Sequence, residues 1–125
     1  MSAKPKVLLV YQEHQERFVI QKFFELDKNA KVMMANNGFE GFDLAVNMSP
    51  DIIIAYSLLD GVSALELCRK VRADKRSVDI PIIAFGMLTG PISASDVLEA
   101  GANFFITQDE EFLYWLGEKV DKLLA

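Results

Sequence analysis

Two short runs in this chain are apolar on both sides of a pleat. Ile52-Ile-Ile-Ala-Tyr56 and Ile80-Pro-Ile-Ile-Ala-Phe85 show no polar alternation, so as strands they need cover on both faces. Each falls far short of the roughly 20 residues that cross a bilayer. The segments between such runs have helical period and can supply the cover. Lys6–Val10 reads as a first strand, and Glu16–Asp27 follows as a helix with Ile20, Phe23 and Phe24 on one face. Lys31–Ala35 is a second strand, and Phe39–Met48 a second helix with Phe39, Phe42, Ala45 and Val46 at helical spacing. Pro50-Asp51 opens the strand at 52–56, and Leu65, Leu67, Cys68 and Val71 mark a third helix. Pro81 is tolerable near the start of the strand at 80–85. Ser95–Ala100 is a short helix ended by Gly101, Asn103–Thr107 a fifth strand, and about Glu110–Leu124 a last helix striped by Leu113, Leu116, Val120, Leu123 and Leu124.

Strand and helix alternate five times, a pattern that closes as a parallel sheet with helices on both faces and right-handed crossovers. With 125 residues the chain is too small for an eight-fold barrel, and residues 1–125 are expected to form one domain. A composition of 51% apolar and 25% charged residues excludes disorder. The net charge of −5 repels a polyanion, and Arg69-Lys70-Val71-Arg72 with Lys75-Arg76 is the largest basic cluster, so no direct nucleic-acid binding is expected. A lone Cys68 and a lone His14 cannot build a disulfide or a thiolate-rich zinc site; Cys68 reads as a core thiol and His14 as a loop or helix-start residue. No apolar run suits membrane insertion and no leader is visible in Met-Ser-Ala-Lys-Pro-Lys. A reducing cytoplasm is the expected location.

The motifs agree with this order. Val7-Leu-Leu-Val10, Asn37-Gly-Phe-Glu-Gly-Phe-Asp-Leu-Ala45, Pro50-Asp-Ile-Ile-Ile54, Gly61-Val-Ser-Ala-Leu-Glu-Leu-Cys-Arg-Lys-Val-Arg-Ala-Asp74, Ile80-Pro-Ile-Ile83 and Ala100-Gly-Ala102 resemble the receiver domain of two-component response regulators along nearly the whole chain. The resemblance implies an α/β flavodoxin-like (βα)5 fold, a doubly wound parallel sheet of order 2-1-3-4-5, with its site at the carboxyl ends of strands 1 and 3. In that family an acidic pair after strand 1 holds Mg²⁺, an Asp ending strand 3 is phosphorylated, a Thr or Ser follows strand 4 and a Lys follows strand 5.

On these five positions the resemblance breaks. Tyr11 and Gln12 stand where the acidic pair belongs, and neither offers an anionic oxygen to a hard cation. Tyr56 stands at the phosphoacceptor and has no carboxylate for an acyl phosphate. Gly86 replaces the hydroxyl and Gln108 the lysine, with Asp109 after it where the family has proline. The expectation is a degenerate pseudo-receiver: no enzyme, no cofactor, and a phosphorylation-independent signalling module acting by protein–protein interaction in a two-component-type pathway. The alternative is a phosphoacceptor built from a non-standard acid, Asp60 with Glu13, which would require an insertion that the spacing of strand 3 and Gly61 does not contain. A small-ligand or enzymatic role ranks last, because the loop Tyr11-Gln-Glu-His-Gln-Glu-Arg17 lacks the Gly, Ser or Thr donors that cradle a phosphate.

A candidate interaction surface comes from helical geometry. At 100° per residue the aliphatic stripe of the last helix leaves Tyr114 and Trp115 pointing well away from it, to meet solvent or a partner. In receiver domains the face of the fourth helix, fifth strand and fifth helix commonly contacts partners or a second copy. Tyr114 and Trp115 are therefore expected as anchors there, with Phe105 at the edge, the position of the family's switching aromatic. Phe18 lies off its helix's stripe in the same way.

Overall fold

A computed structural model describes residues 4–125. Five strands, β1 (Lys6–Val10), β2 (Lys31–Ala35), β3 (Ile52–Tyr56), β4 (Ile82–Gly86) and β5 (Phe104–Thr107), alternate with five helices, α1 (His14–Asp27), α2 (Gly38–Met48), α3 (Ala64–Ala73), α4 (Ala94–Ala100) and α5 (Phe112–Leu124). All pairings are parallel, in the order β2-β1-β3-β4-β5, as the alternation and the resemblance imply. Among the described residues no helix is long and apolar enough to cross a membrane.

The double coverage read from the central strands has a simple origin. Successive strand side chains point to opposite faces, so Leu8, Val10, Ile53, Ala55, Ile82 and Ala84 enter one core with Ala45, Leu67, Cys68, Val71 and Val97 from α2, α3 and α4. Val7, Leu9, Ile52, Ile54, Ile83 and Phe85 enter the other with Ile20, Phe24, Leu116 and Val120 from α1 and α5. Side-chain caps start four of the helices. Glu13 accepts from the N–H groups of Gln15 and Glu16, Asn37 from Glu40, Ser63 from Glu66, and Ser93 from Asp96 in a reciprocal capping box.

Three local expectations need correction. α1 begins at His14, two residues before the apolar period, because Glu13 caps it. β4 runs 82–86 and not 80–85: Pro81 has no N–H to donate, Ile80 N–H bonds Ser77 in the preceding turn, and pairing starts where Ile82 N–H meets the Asn103 side chain. Gly86 is thus the last residue of the strand and not a loop residue. Phe39 lies outside the core, 64% exposed. Glycines take the inward positions of α2: a Cβ on Gly38 would stand 2.1 Å from the Val62 carbonyl oxygen, and one on Gly41 3.0 Å from the Val10 methyls, so the helix packs too close to admit side chains there.

Candidate functional site at the carboxyl edge of the sheet

Parallel strands deliver their final residues to one edge, and the five positions singled out in the sequence converge there. Tyr11 and Gln12 directly follow β1, Tyr56 ends β3, Gly86 ends β4 and Gln108 directly follows β5. β1 and β3 are neighbours in register Val10↔Ala55, so the two tyrosines emerge side by side. Their ring centroids lie 4.6 Å apart, tilted by 36°. Phe85 meets Tyr11 edge-on at 5.1 Å and Tyr56 at 5.5 Å, and Phe112 extends the cluster from Phe85 at 5.1 Å. Such pairs contribute about 0.5–1.5 kcal/mol each beyond the area they bury.

The rim of the cluster is polar. The Tyr11 hydroxyl donates to the Glu16 carboxylate. The Gln108 amide donates to the Tyr11 hydroxyl at 3.3 Å and to Glu16 Oε2 at 2.5 Å, which ties β1, α1 and the β5–α5 connection together. Burial, above all, pushes the Tyr11 phenol well above its ordinary value, and it stays neutral at physiological pH. Gln12 donates from its amide to the Leu58 carbonyl at 3.0 Å, while its Oε1 is buried without a partner among the described residues. Arg17 Nη1 donates to the Tyr11 carbonyl at 3.3 Å and to Asn36 Oδ1. At the other wall, Ser57 is buried beside the end of β4, and a Cβ on Gly86 would lie 2.2 Å from its hydroxyl oxygen.

The acidic residues of the alternative reading sit elsewhere. The Glu13 carboxylate accepts at 2.7 Å from Glu16 N–H and at 3.2 Å from Gln15 N–H. These bonds, that of Glu16 first, favour the ionised form and hold its pKa below the usual carboxylate range. Asp60 lies exposed in the β3–α3 connection, where its carbonyl accepts from Gly38 N–H at 3.3 Å. Among the described residues no three His, Cys, Asp or Glu side chains gather as a metal-binding group.

The anchors expected on the surface divide. Tyr114 and Trp115 are exposed, 60% and 44%, with rings 5.0 Å apart edge-to-face. Being neighbours on a helix they point about 100° apart. Trp115 leans towards β5, sharing a hollow with Phe105, Thr107 and Lys119, whereas Tyr114 borders the opposite groove, against α1. Phe105 is half-buried, Phe18 is exposed beneath the Lys22 ammonium at 5.3 Å, His14 opens α1 and Cys68 is buried.

Glu16, Ser57, Phe85 and Phe112 complete the site and were not singled out in the sequence. Phe85 carried a signal as the last apolar residue of its run. The other three are ordinary helix or loop residues until the strands bring them to one edge.

Comparison with known proteins yields a consistent picture. A family model described as response regulator receiver domain matches residues 7–112. A nitrate/nitrite response regulator protein homolog of Haemophilus influenzae is 31% identical over 112 residues, 89% of this chain and 53% of that protein. A chemotaxis protein CheY homolog of Campylobacter jejuni is 30% identical over 104 residues, 82% of this chain and 80% of that protein. The chain thus spans about half of the first of these relatives and most of the second. Among solved structures, the receiver domain of a signal transduction histidine kinase from Syntrophus aciditrophicus superposes with a TM-score of 0.86 at 25% identity, covering 96% of this chain and 89% of that one. Chemotaxis protein CheY4 of Vibrio cholerae gives 0.85 at 21% identity, covering 97% and 99%, a likeness of fold.

Proposed function

Since the chain belongs to the response regulator receiver domain family, the module type of two-component signalling, we propose that it is a receiver that has abandoned phosphoryl transfer and works by docking. The observation that carries this reading is the Tyr11–Tyr56 pair, 4.6 Å between centroids, at the ends of the two strands where the family keeps its metal ligands and phosphoacceptor. Stacked rings with a neutral phenol offer a divalent cation no anionic oxygen and a phosphoryl group no carboxylate nucleophile. Gly86 and Gln108 supply neither the hydroxyl nor the ammonium that would steady a transferred phosphoryl group. Against the acidic alternative stands Glu13, whose carboxylate is engaged at the N-terminus of α1.

A module of this kind acts through its surface. The face formed by α4, β5 and α5 carries Trp115 and the half-buried Phe105, flanked by Lys119, whose ammonium lies 6.0 Å from the Trp115 ring. An exposed aromatic that gains nothing from water is the kind of side chain that anchors an interface. A signalling protein or a second copy is the proposed occupant, with these described residues as a single interaction domain of the cytoplasm.

The test is direct. Incubation with acetyl phosphate and Mg²⁺ followed by intact-mass measurement should leave the chain unmodified, and beryllofluoride with Mg²⁺ should leave its amide spectrum unchanged. Stoichiometric phosphorylation of Asp60 or another carboxylate would sink the proposal. Trp115→Ala should weaken self-association or partner binding by about 2 kcal/mol or more with the fold intact.

A further inference from the structure

The aliphatic stripe of α5 does not close the gap between α5 and α1. A groove of about 400 Å³ runs between them, with Phe23, Leu113, Tyr114 and Gly117 along its floor and walls. A second hollow of about 270 Å³ continues from it towards Gln108 past Val19, sharing Leu113. Together they follow α5 from its start at Phe112 to Asp121, about 14 Å at 1.5 Å per residue, which is the length of two to three helical turns.

The charges along this trough are lopsided. The one cation lining it among the described residues, Lys28, reaches past Phe23, 6.0 Å from the ring, and is neutralised by Asp121 at 2.9 Å. The trough's other anions are not. Asp27 and Glu118 line the groove and make no ion pair among the described residues, while Glu16 at the upper end is held only by the neutral donors Tyr11 and Gln108. An apolar floor between unpaired carboxylates selects an occupant with an apolar stripe flanked by positive charge.

We infer that the α1–α5 trough is a second docking surface, separate from the face of Trp115, and that its occupant is a basic amphipathic helix of a partner protein. A second copy of this chain does not fit. A two-fold contact centred on the groove would bring the Asp27 and Glu118 carboxylates of both copies into one interface, and the accumulated like charge disfavours it. With one surface on each side of α5, the chain would hold two partners at once.

The experiment uses the whole chain, isotope-labelled, titrated with a synthetic amphipathic helix of leucine and lysine about four turns long. The expected result is saturable shifts at the amides of Val19, Phe23, Leu113, Tyr114 and Gly117. Asp27→Lys combined with Glu118→Lys, both exposed and free of structural bonds, should weaken binding about tenfold or more. Trp115→Ala should leave it unchanged, and a leucine–glutamate counterpart should not bind. Shifts centred on other surfaces, equal affinity for the charge-reversed variant, or sedimentation showing a dimer that covers these amides would overturn the inference. None of these results depends on whether the chain can be phosphorylated.

Discussion

Ser57 holds its hydroxyl where a side chain on Gly86 would have to be: a Cβ there would lie 2.2 Å from Ser57 Oγ and 3.2 Å from its Cβ. The glycine ending β4 and the serine following β3 are therefore a matched pair, brought abreast by the register Tyr56↔Phe85. Gly86→Ala should destabilise the chain by about 1–3 kcal/mol through overpacking. Adding Ser57→Ala removes the closer clash and should recover a measurable part of that loss. Chemical denaturation of the two single variants and the double variant reads the coupling, and strictly additive effects would show that the two residues do not compete for space.

Tyr11 predicts an alkaline loss of stability. Its folded phenol ionises above its ordinary value near 10, chiefly because it is buried. In the unfolded chain it ionises at that ordinary value. The unfolded state therefore releases the proton first as pH rises, and the contribution present below pH 10 is lost above it. Tyr11→Phe should cost about 1–2 kcal/mol at neutral pH, with the Glu16 and Gln108 bonds removed. The gap between the two proteins should narrow above pH 10. A constant gap would place the phenol in solvent.

Cys68 lies in the core between α3 and the sheet, and burial pushes its thiol up to about 11. The thiolate is the reactive form. Iodoacetamide at pH 8 should leave the native chain unlabelled and label it fully in denaturant. Rapid labelling under native conditions would mean that α3 opens locally.

Millimolar Mg²⁺ should not raise the melting temperature, since a ligand stabilises only a fold that binds it. Tyr56→Asp alone should not create an acyl phosphate acceptor, because Tyr11 and Gln12 still provide no anionic ligand and Gln108 no ammonium. A shift of several degrees, or labelling of that variant by acetyl phosphate, would show that a cation site survives at this edge.

Arg72 joins α3 to the α3–β4 and α4–β5 connections at the opposite edge. Its guanidinium donates to the carbonyls of Gly101 at 3.0 Å, Val78 at 3.0 Å and Ile80 at 2.6 Å, and to Asn103 Oδ1 at 3.0 Å. Asn103 in turn receives the Ile82 N–H at 2.8 Å. Arg72→Ala should destabilise by about 2–4 kcal/mol. Arg72→Lys should recover little, since a point-like ammonium cannot reproduce the planar fork. Near-complete rescue by lysine would show that charge, not geometry, matters there.

The alternation of doubly apolar strands with one-faced helices was enough to predict five parallel strands between two helical layers, because burial on both faces leaves a short strand no other stable setting. That positions 11, 12 and 56 carry Tyr, Gln and Tyr and hence no carboxylate is equally plain from the sequence, since side-chain chemistry does not depend on packing. Spatial neighbours were beyond that reading. That Glu16 would receive the Tyr11 hydroxyl and the Gln108 amide, from 5 and 92 residues away, follows from how α1 and the β5–α5 connection meet over β1. That Phe39 would be exposed follows from Gly38 and Gly41 drawing α2 onto Val62 and Val10. That Tyr114 would line a hollow against α1 and its neighbour Trp115 one against β5 follows from α5 lying between α1 and β5. Periodicity reports which face of an element is apolar, and only the packed chain decides which neighbours that face meets, because contacts are selected by volume and hydrogen bonding among segments far apart in sequence.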